Sequence, residues 1–448
     1  MASETLWDRI GFRESPYATR PIPATREGAS LLVGRDAELG RLKNRLKSSS
    51  KHPTIEGDNG VGKTSLVSVA SYQLMDEYKE GSSDVLLVPM PDFFQLSTSM
   101  PVVEFRRQVF FAVAQQFIKN HDYLKRSGRS VPKVDRIKYW LNEPMVGGGG
   151  FSVEGNTPAG GGGLGLERTR DTNGSAGFDQ SGFESTITKW LEDCFPEGDL
   201  GGFVCVIDNL ELLQTSSAAR QALEDIRDTL LSVQGLRWVL CGARGIVRAV
   251  ASSTRLEGRL HRPIEIPAIP DDAVGELVDA RIRHYRVNED AVAPVGAAGF
   301  KRVYATLHQN LRNTLSYCED FCFWMDDEGH ALQVSSRVGL LQEWLDQEAQ
   351  HVVEAVSLTT RTWELFDAIA HVGGSCSPGD YEKLGFSSFN LMRRYVKTLE
   401  DVGFVDSAVD ESDRRRRTIV ISPKGWLALS ARVERNIDES MSDIDQDS

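Results

Sequence analysis

The stretch Thr54-Ile55-Glu56-Gly57-Asp58-Asn59-Gly60-Val61-Gly62-Lys63-Thr64-Ser65 decides the fold. Residues Gly57 to Thr64 fit the pattern GxxxxGK[ST] without deviation. Each part has a chemical reason. Gly57, Gly60 and Gly62 let backbone N–H groups curl around phosphate oxygens, and Asn59, Val61 and Ser65 fall in the same cradle. Lys63 has the length to reach the β- and γ-phosphates, and the Thr64 hydroxyl suits Mg²⁺. A following helix adds its positive N-terminal dipole. The context is the required one: Thr54–Glu56 reads as a short strand, and a helix is expected from Thr64 to about Tyr78.

Working outward, four more apolar runs read as buried strands: Val85–Val88, bounded by Pro89, then Phe203–Ile207, Trp238–Cys241 and Ile264–Ile266. Helical spacing recurs over Pro101–Leu124 and Ser216–Val233. Strands alternating with helices after a phosphate loop predict a parallel α/β sheet with flanking helices, a P-loop NTPase core. The strand FVCVI ends in Asp208, 144 residues after Thr64. Such a loop needs an acid at the tip of a neighbouring strand to hold Mg²⁺, so Thr64 and Asp208 form the candidate metal pair. The next residue is Asn209, which cannot accept a proton. Glu211 is either a catalytic base or an ordinary acid opening a helix. ATP binding is therefore expected to be firm, and hydrolysis slow or partner-dependent.

At 448 residues the chain has room for two to four domains, and 40 % hydrophobic residues suffice for packed cores. The net charge of −13 excludes a non-specific nucleic-acid coat, so any DNA contact must come from a local basic patch. No run of about 18 apolar residues exists to span a membrane. The N-terminal residues MASETLWDRIGFRESPYATRPIP include acids and no apolar signal region, so a cytoplasmic chain is expected. Cys194, Cys205, Cys241, Cys318, Cys322 and Cys376 form no CxxC pair and read as buried free thiols rather than a zinc site. Residues 147–165, GGGGFSVEGNTPAGGGGLG, are either a flexible surface insertion or a glycine-rich hairpin that orders against a partner subunit.

Several motifs resemble known families. Leu31–Leu39 (LLVGRDAEL) resembles the box upstream of the phosphate loop in origin-recognition-type AAA+ ATPases and in STAND-class signalling ATPases. There the box packs near the adenine, which implies the same for Gly34 and Arg35. WVLCGAR, ending in Arg244, resembles the strand-plus-arginine sensor of STAND proteins, and implies a catalytic role for Arg244. Pro263–Ile282 resembles the strand, turn and helix that open the lid domain of these families, and Arg312 sits where such lids carry a second sensor arginine. The usual glycine before that arginine is missing. A finger acting in trans would fall among Arg248, Arg255, Arg259 and Arg262, with no basis for choosing one. The resemblance covers about residues 31–430. It implies a P-loop ATPase core over 31–270 carrying the glycine-rich insertion at about 145–175, a helical lid over 271–350 and a winged helix over 355–435. Outside it, residues 1–30, rich in Pro and Arg, read as an irregular arm, and the acidic, polar residues 436–448 read as a disordered tail.

The C-terminal segment reads as a winged helix-turn-helix. Thr362–Ala370 is amphipathic. Ser377 and Pro378 open a short second helix, and Gly385 makes the turn. Ser387 is expected to cap a third helix, with Leu391, Tyr395, Leu399 and Val402 as its apolar stripe. A hairpin follows, its strands beginning at Val405 and in the run Arg414-Arg415-Arg416-Arg417. Asn390, Arg393, Arg394 and Lys397 on the helix, with those four wing arginines, suit major-groove and phosphate contacts. Over residues 377–425 nine basic residues face eight acidic ones, so protein docking or autoinhibition stays open beside DNA binding.

Two functions follow. One is an ATP-dependent switch whose winged helix engages DNA, in a prokaryotic DNA-transaction or antiviral defence setting. The other is a STAND-like scaffold in which the winged helix docks protein and controls ATP-dependent oligomerisation. Either implies a homo-oligomer or an effector partner, because no fused nuclease or protease motif is visible. A small-molecule kinase is excluded, since no lid arginine cluster or substrate-pocket motif is present.

Overall fold

A computed structural model of the chain describes residues 4–133, 135, 182–213, 215–332, 338–410 and 416–432. The glycine-rich stretch and the acidic tail lie outside these residues. The first half builds a five-stranded, all-parallel sheet from β1 (Thr54–Glu56), β2 (Leu87–Phe94), β3 (Gly202–Ile207), β4 (Leu236–Gly242) and β5 (Ile264–Glu265), in the order β2-β3-β4-β1-β5. The strand periodicity explains the flanking layers. Phe203, Cys205, Ile207, Trp238 and Leu240 face one apolar core, while Val204, Val206, Val239 and Cys241 face another. A strand apolar on both faces must be covered on both faces.

The helices of this half are α1 (Leu6–Arg9), α2 (Arg26–Ala29), α3 (Asp36–Ser48), α4 (Lys63–Lys79), α5 (Val102–Lys119), α6 (His121–Arg126), α7 (Phe183–Cys194), α8 (Ser216–Asp225) and α9 (Ile246–Ala251). Three elements differ from the sequence reading by more than a residue or two. β2 runs through Pro89 and Pro91 instead of stopping before them, with a register shift between Pro89 and Phe93. It is an edge strand, where a missing N–H costs no ladder bond. The expected Pro101–Leu124 helix breaks at Asn120 into α5 and α6. The expected Ser216–Val233 helix ends at Asp225, and residues 226–232 continue as turns.

A second, helical body follows: α10 (Asp271–Tyr285), α11 (Ala297–Thr306), α12 (Leu311–Asp327) and α13 (Val338–Glu354). Its core also contains Leu6, Trp7, Ile10, Phe12 and Tyr17 from the N-terminal segment. Those residues were expected in an irregular arm. Instead, Thr5 and Asp8 form a capping box at α1, and the Tyr17 hydroxyl donates to Val295 O at 2.6 Å. Each such side chain contributes about 2 kcal/mol by burial, more than enough to order the segment.

The C-terminal module packs α14 (Thr360–His371) and α15 (Phe389–Asp401) against the antiparallel sheet β6-β8-β7, formed by β6 (Ser375–Cys376), β7 (Val405–Asp410) and β8 (Arg416–Ile421). Residues 378–380 form a single 3-10 turn behind a Ser377–Asp380 capping box. Ser388, not Ser387, caps α15 by accepting from the Leu391 N–H. The buried stripe is correspondingly Met392, Val396 and Leu399, and Leu391 is exposed. Residues 423–432 form a further helix, α16, whose Leu427 and Ala431 enter the lid core while Ala428 and Leu429 enter the module's own. All six cysteines are buried and unbridged.

Candidate functional site

The phosphate loop leaves the carboxyl end of β1, between β4 and β5, and turns into α4. Gly60 and Gly62 hold φ of +85° and +95°, a conformation that L side chains resist. The first amides of α4 have no intrahelical acceptor and carry the positive end of the helix dipole, which makes the loop an anion cradle. Lys63 is buried beneath it, donating from Nζ to Gly57 O at 2.9 Å and to Asp58 O at 3.1 Å. Thr64 Oγ1 donates to Asp208 Oδ2 at 2.6 Å, and the Asn209 N–H donates to Asp208 Oδ1 at 2.9 Å. Two chain segments 144 residues apart thus place a hydroxyl and a carboxylate side by side at the cradle's mouth.

A cleft opens from this loop, lined by residues of the sheet half and of the helical lid. The sheet side supplies Asn59 to Ser65 with Asp208 and Asn209, and the lid supplies Arg281, Leu311, Arg312 and Leu315. Arg35 is 3 % exposed and donates to Val61 O at 3.1 Å. Burial lowers its pKa, and its Nη1 has no hydrogen-bond partner. Gly34, at φ +69°, lets this segment approach the lid: an added Cβ would stand 3.0 Å from Ala273 Cβ. Apolar lining comes from Ile22, Leu31, Val33 and Leu315. A buried guanidinium nitrogen without a partner, helix N-terminal amides and apolar lining fit a phosphorylated ligand with a flat, hydrophobic base. The hard oxygens of Thr64 and Asp208 fit Mg²⁺.

No family model matches this sequence, and no curated protein matches it. Among solved structures, the chain is similar to the Aeropyrum pernix ORC1 protein in complex with DNA, at 14 % identity over 95 % of this chain and 99 % of that one, with a TM-score of 0.44. It is similar to the Aeropyrum pernix ORC2 protein in its ADPNP–ADP complexes, at 11 % identity over 94 % and 99 %, with a TM-score of 0.42. A Walker-type ATPase of Pyrococcus abyssi aligns at 12 % identity over 93 % and 100 %, with a TM-score of 0.44.

Other candidate residues sit elsewhere. Arg244 lies outside the cleft lining, 3.7 Å from Asp58 on the loop and 3.3 Å from Glu265 on β5. Glu211 Oε2 accepts the Ala243 N–H at 3.0 Å, so this carboxylate ties the end of β3 to the end of β4. Of the four arginines considered for a finger in trans, Arg248 pairs with the buried Glu56 and Arg255 with Glu224, while Arg259 and Arg262 are exposed. Asn390, Arg393, Arg394 and Lys397 share one exposed face of α15. Arg416 and Arg417 belong to β8, and Arg414 and Arg415 lie outside the described residues.

The structure also brings in residues that the sequence reading missed. Thr19 to Ile22 line the cleft, and the Ile22 N–H donates to Ser65 Oγ at 3.0 Å. Arg281, almost fully buried, clamps this segment through Pro16 O and Ala18 O. Asn310 caps α12 and donates from Nδ2 to Asn59 O at 3.0 Å. Only Asn310 left a usable signal, an asparagine at the start of an amphipathic helix.

Proposed function

We propose that the chain is an ATP-binding, slowly hydrolysing switch of the AAA+/STAND type, closed by its lid and read out through its C-terminal module. The observation that carries this is the Thr64–Asp208 contact at the mouth of a cleft shared by sheet and lid. Thr64 and Asp208 would hold Mg²⁺, which supplies charge neutralisation at the phosphates when bound. Lys63 and the α4 amides would bind the phosphates, Arg312 would reach them from the lid, and Arg35 with the box residues would shape the base site. Slow hydrolysis is supported by two details: Asn209 cannot act as a base, and Glu211 is committed to the Ala243 amide. The order of elements in the C-terminal module supports a winged helix, with the exposed face of α15 as its DNA-contacting side. The setting would be a prokaryotic DNA transaction or antiviral defence. Sizing the full chain with and without ATP, and measuring its DNA affinity in both states, tests this reading. An ATP-dependent change in assembly and salt-dependent DNA binding are expected; neither occurring would refute it.

A second reading, a signalling scaffold whose winged helix docks protein, is favoured by one observation: α16 buries Leu427 and Ala431 in the lid core. A module held in this way could keep the switch closed. Raised nucleotide exchange on loosening that contact, without DNA binding by the full chain, would decide for it.

A further inference from the structure

Between α11 and α12 the chain makes a turn in which two consecutive residues that are not glycine, His308 and Gln309, hold φ of +50° and +62°. Such residues seldom persist in the left-handed region unless their surroundings fix them. Here three bodies do so. The His308 ring stacks on Trp426 of the C-terminal module, with centroids 4.2 Å apart and planes 12° from parallel. Gln309 Nε2 donates to Asp271 Oδ1 at 3.1 Å, where the lid begins, and its N–H donates to Tyr304 O at 2.8 Å. The next residue, Asn310, grips the phosphate loop at Asn59 O and caps α12 through the Asn313 N–H. Two residues further on stands Arg312.

Both ends of this path require bare backbone. A Cβ on Gly60 would lie 2.6 Å from Arg312 Cβ, so the phosphate loop and the lid helix touch with nothing between them. A Cβ on Gly374 would clash with Trp426 Cζ2, so that ring is seated against the module's own backbone. Neither end can shift without moving its neighbour.

We infer that His308 and Trp426 are positioning residues for the nucleotide site: the C-terminal module sets the placement of Asn310 and Arg312 on the phosphate loop through the 308–309 turn. This rests on the proposed nucleotide reading and adds the route by which the module and the cleft affect each other. Coupling of this kind is reciprocal, so a ligand that moves the module alters nucleotide affinity by the same factor as nucleotide alters that ligand's.

The test uses the full chain with His308→Ala, Trp426→Ala, Trp426→Phe, and the double variant. His308 is exposed, so its replacement opens no cavity in a core even where Trp426→Ala disturbs the module, and circular dichroism checks that each variant is folded. Release of a fluorescent ATP analogue should quicken by about fivefold or more in His308→Ala and in Trp426→Ala. It should quicken no further in the double variant, stay near wild type in Trp426→Phe, and become insensitive to His308→Ala once Arg312 is alanine. Amide exchange in the nucleotide-free chain, read at Gly60 and Asn313, should quicken in the same variants. Additive effects, or unchanged exchange in His308→Ala, would overturn the inference. If wild type binds no nucleotide while exchange still responds to His308→Ala, the nucleotide reading fails and the positioning role stands.

Discussion

Thr64 Oγ1 lies 2.6 Å from Asp208 Oδ2, joining the first turn of α4 to the tip of a strand that is two removed from β1 in the sheet. A carboxylate held against a hydroxyl at a helix N-terminus is prepared for a divalent cation. Asp208→Asn preserves the size and one acceptor while removing the charge. The gain in ATP affinity on adding Mg²⁺ should be lost in this variant, with Mg²⁺-free affinity retained. Calorimetric titration in Mg²⁺ and in EDTA reads both quantities; an undiminished Mg²⁺ effect would remove Asp208 from the metal site.

Asn209 holds φ of +55° directly after Asp208. Asparagine tolerates this region, whereas a glutamate would be strained by about 1 kcal/mol. Asn209→Gly should therefore leave thermal stability nearly unchanged, and Asn209→Glu should lower it without raising turnover. Glu211→Gln keeps an acceptor for the Ala243 amide, so turnover should change by less than about twofold, far short of the loss on removing a general base. A hundredfold loss in a steady-state ATPase assay would restore Glu211 as the base.

How legible these features were depends on the range of the interaction behind each. The phosphate loop is local: glycines, lysine and threonine at fixed spacing carry their chemistry in the string itself. β3 and β4 were legible because strands buried on both faces are continuous apolar runs. β2 was cut short, because an edge strand can keep Pro89 and Pro91, and edge position is a property of the sheet. The N-terminal segment was misread because Trp7, Phe12 and Tyr17 are buried only once α10–α13 assemble, hundreds of residues later. The one-residue shift in the α15 stripe came from placing the cap at Ser387; moving it to Ser388 exchanges Leu391 for Met392. The path from Trp426 to Gly60 had no local signal, since its joints are contacts between separate bodies.

His52 is fully buried, donating from Nε2 to Leu231 O at 2.7 Å and accepting the Trp238 N–H on Nδ1 at 3.2 Å. Burial lowers its pKa from 6.5 to about 4. The unfolded chain therefore takes up a proton that the folded chain refuses. Stability from this group is complete above pH 6.5, falls as pH drops through 6.5 to 4, and is lost below that. The span corresponds to about 3 kcal/mol. Urea denaturation at pH 7.5 and 4.5 should show the loss, and His52→Gln should flatten it; an equally steep decline in the variant would assign the effect to other groups.

On α15, Asn390, Arg393, Arg394 and Lys397 are exposed together. If they meet DNA, replacing Arg394 or Lys397 by alanine should weaken binding to all sequences alike and lower the slope of log K against log salt by about 0.9 per lost phosphate contact. Changes at Asn390 or Arg393, nearer the helix start, should alter sequence preference instead. Fluorescence anisotropy across a salt series distinguishes these outcomes, and unchanged slopes would leave this face to a protein partner.

A nucleoside triphosphate is proposed to bind in the cleft between the phosphate loop and the lid. Equilibrium titration of ATP with Mg²⁺ into the full chain tests it most directly, with Lys63→Ala beside wild type and folding of both checked by circular dichroism. Saturable binding by wild type is expected, with an affinity lower by about 10- to 100-fold in the folded variant, as for one lost charge-assisted contact. Equal affinities for two folded proteins would contradict it.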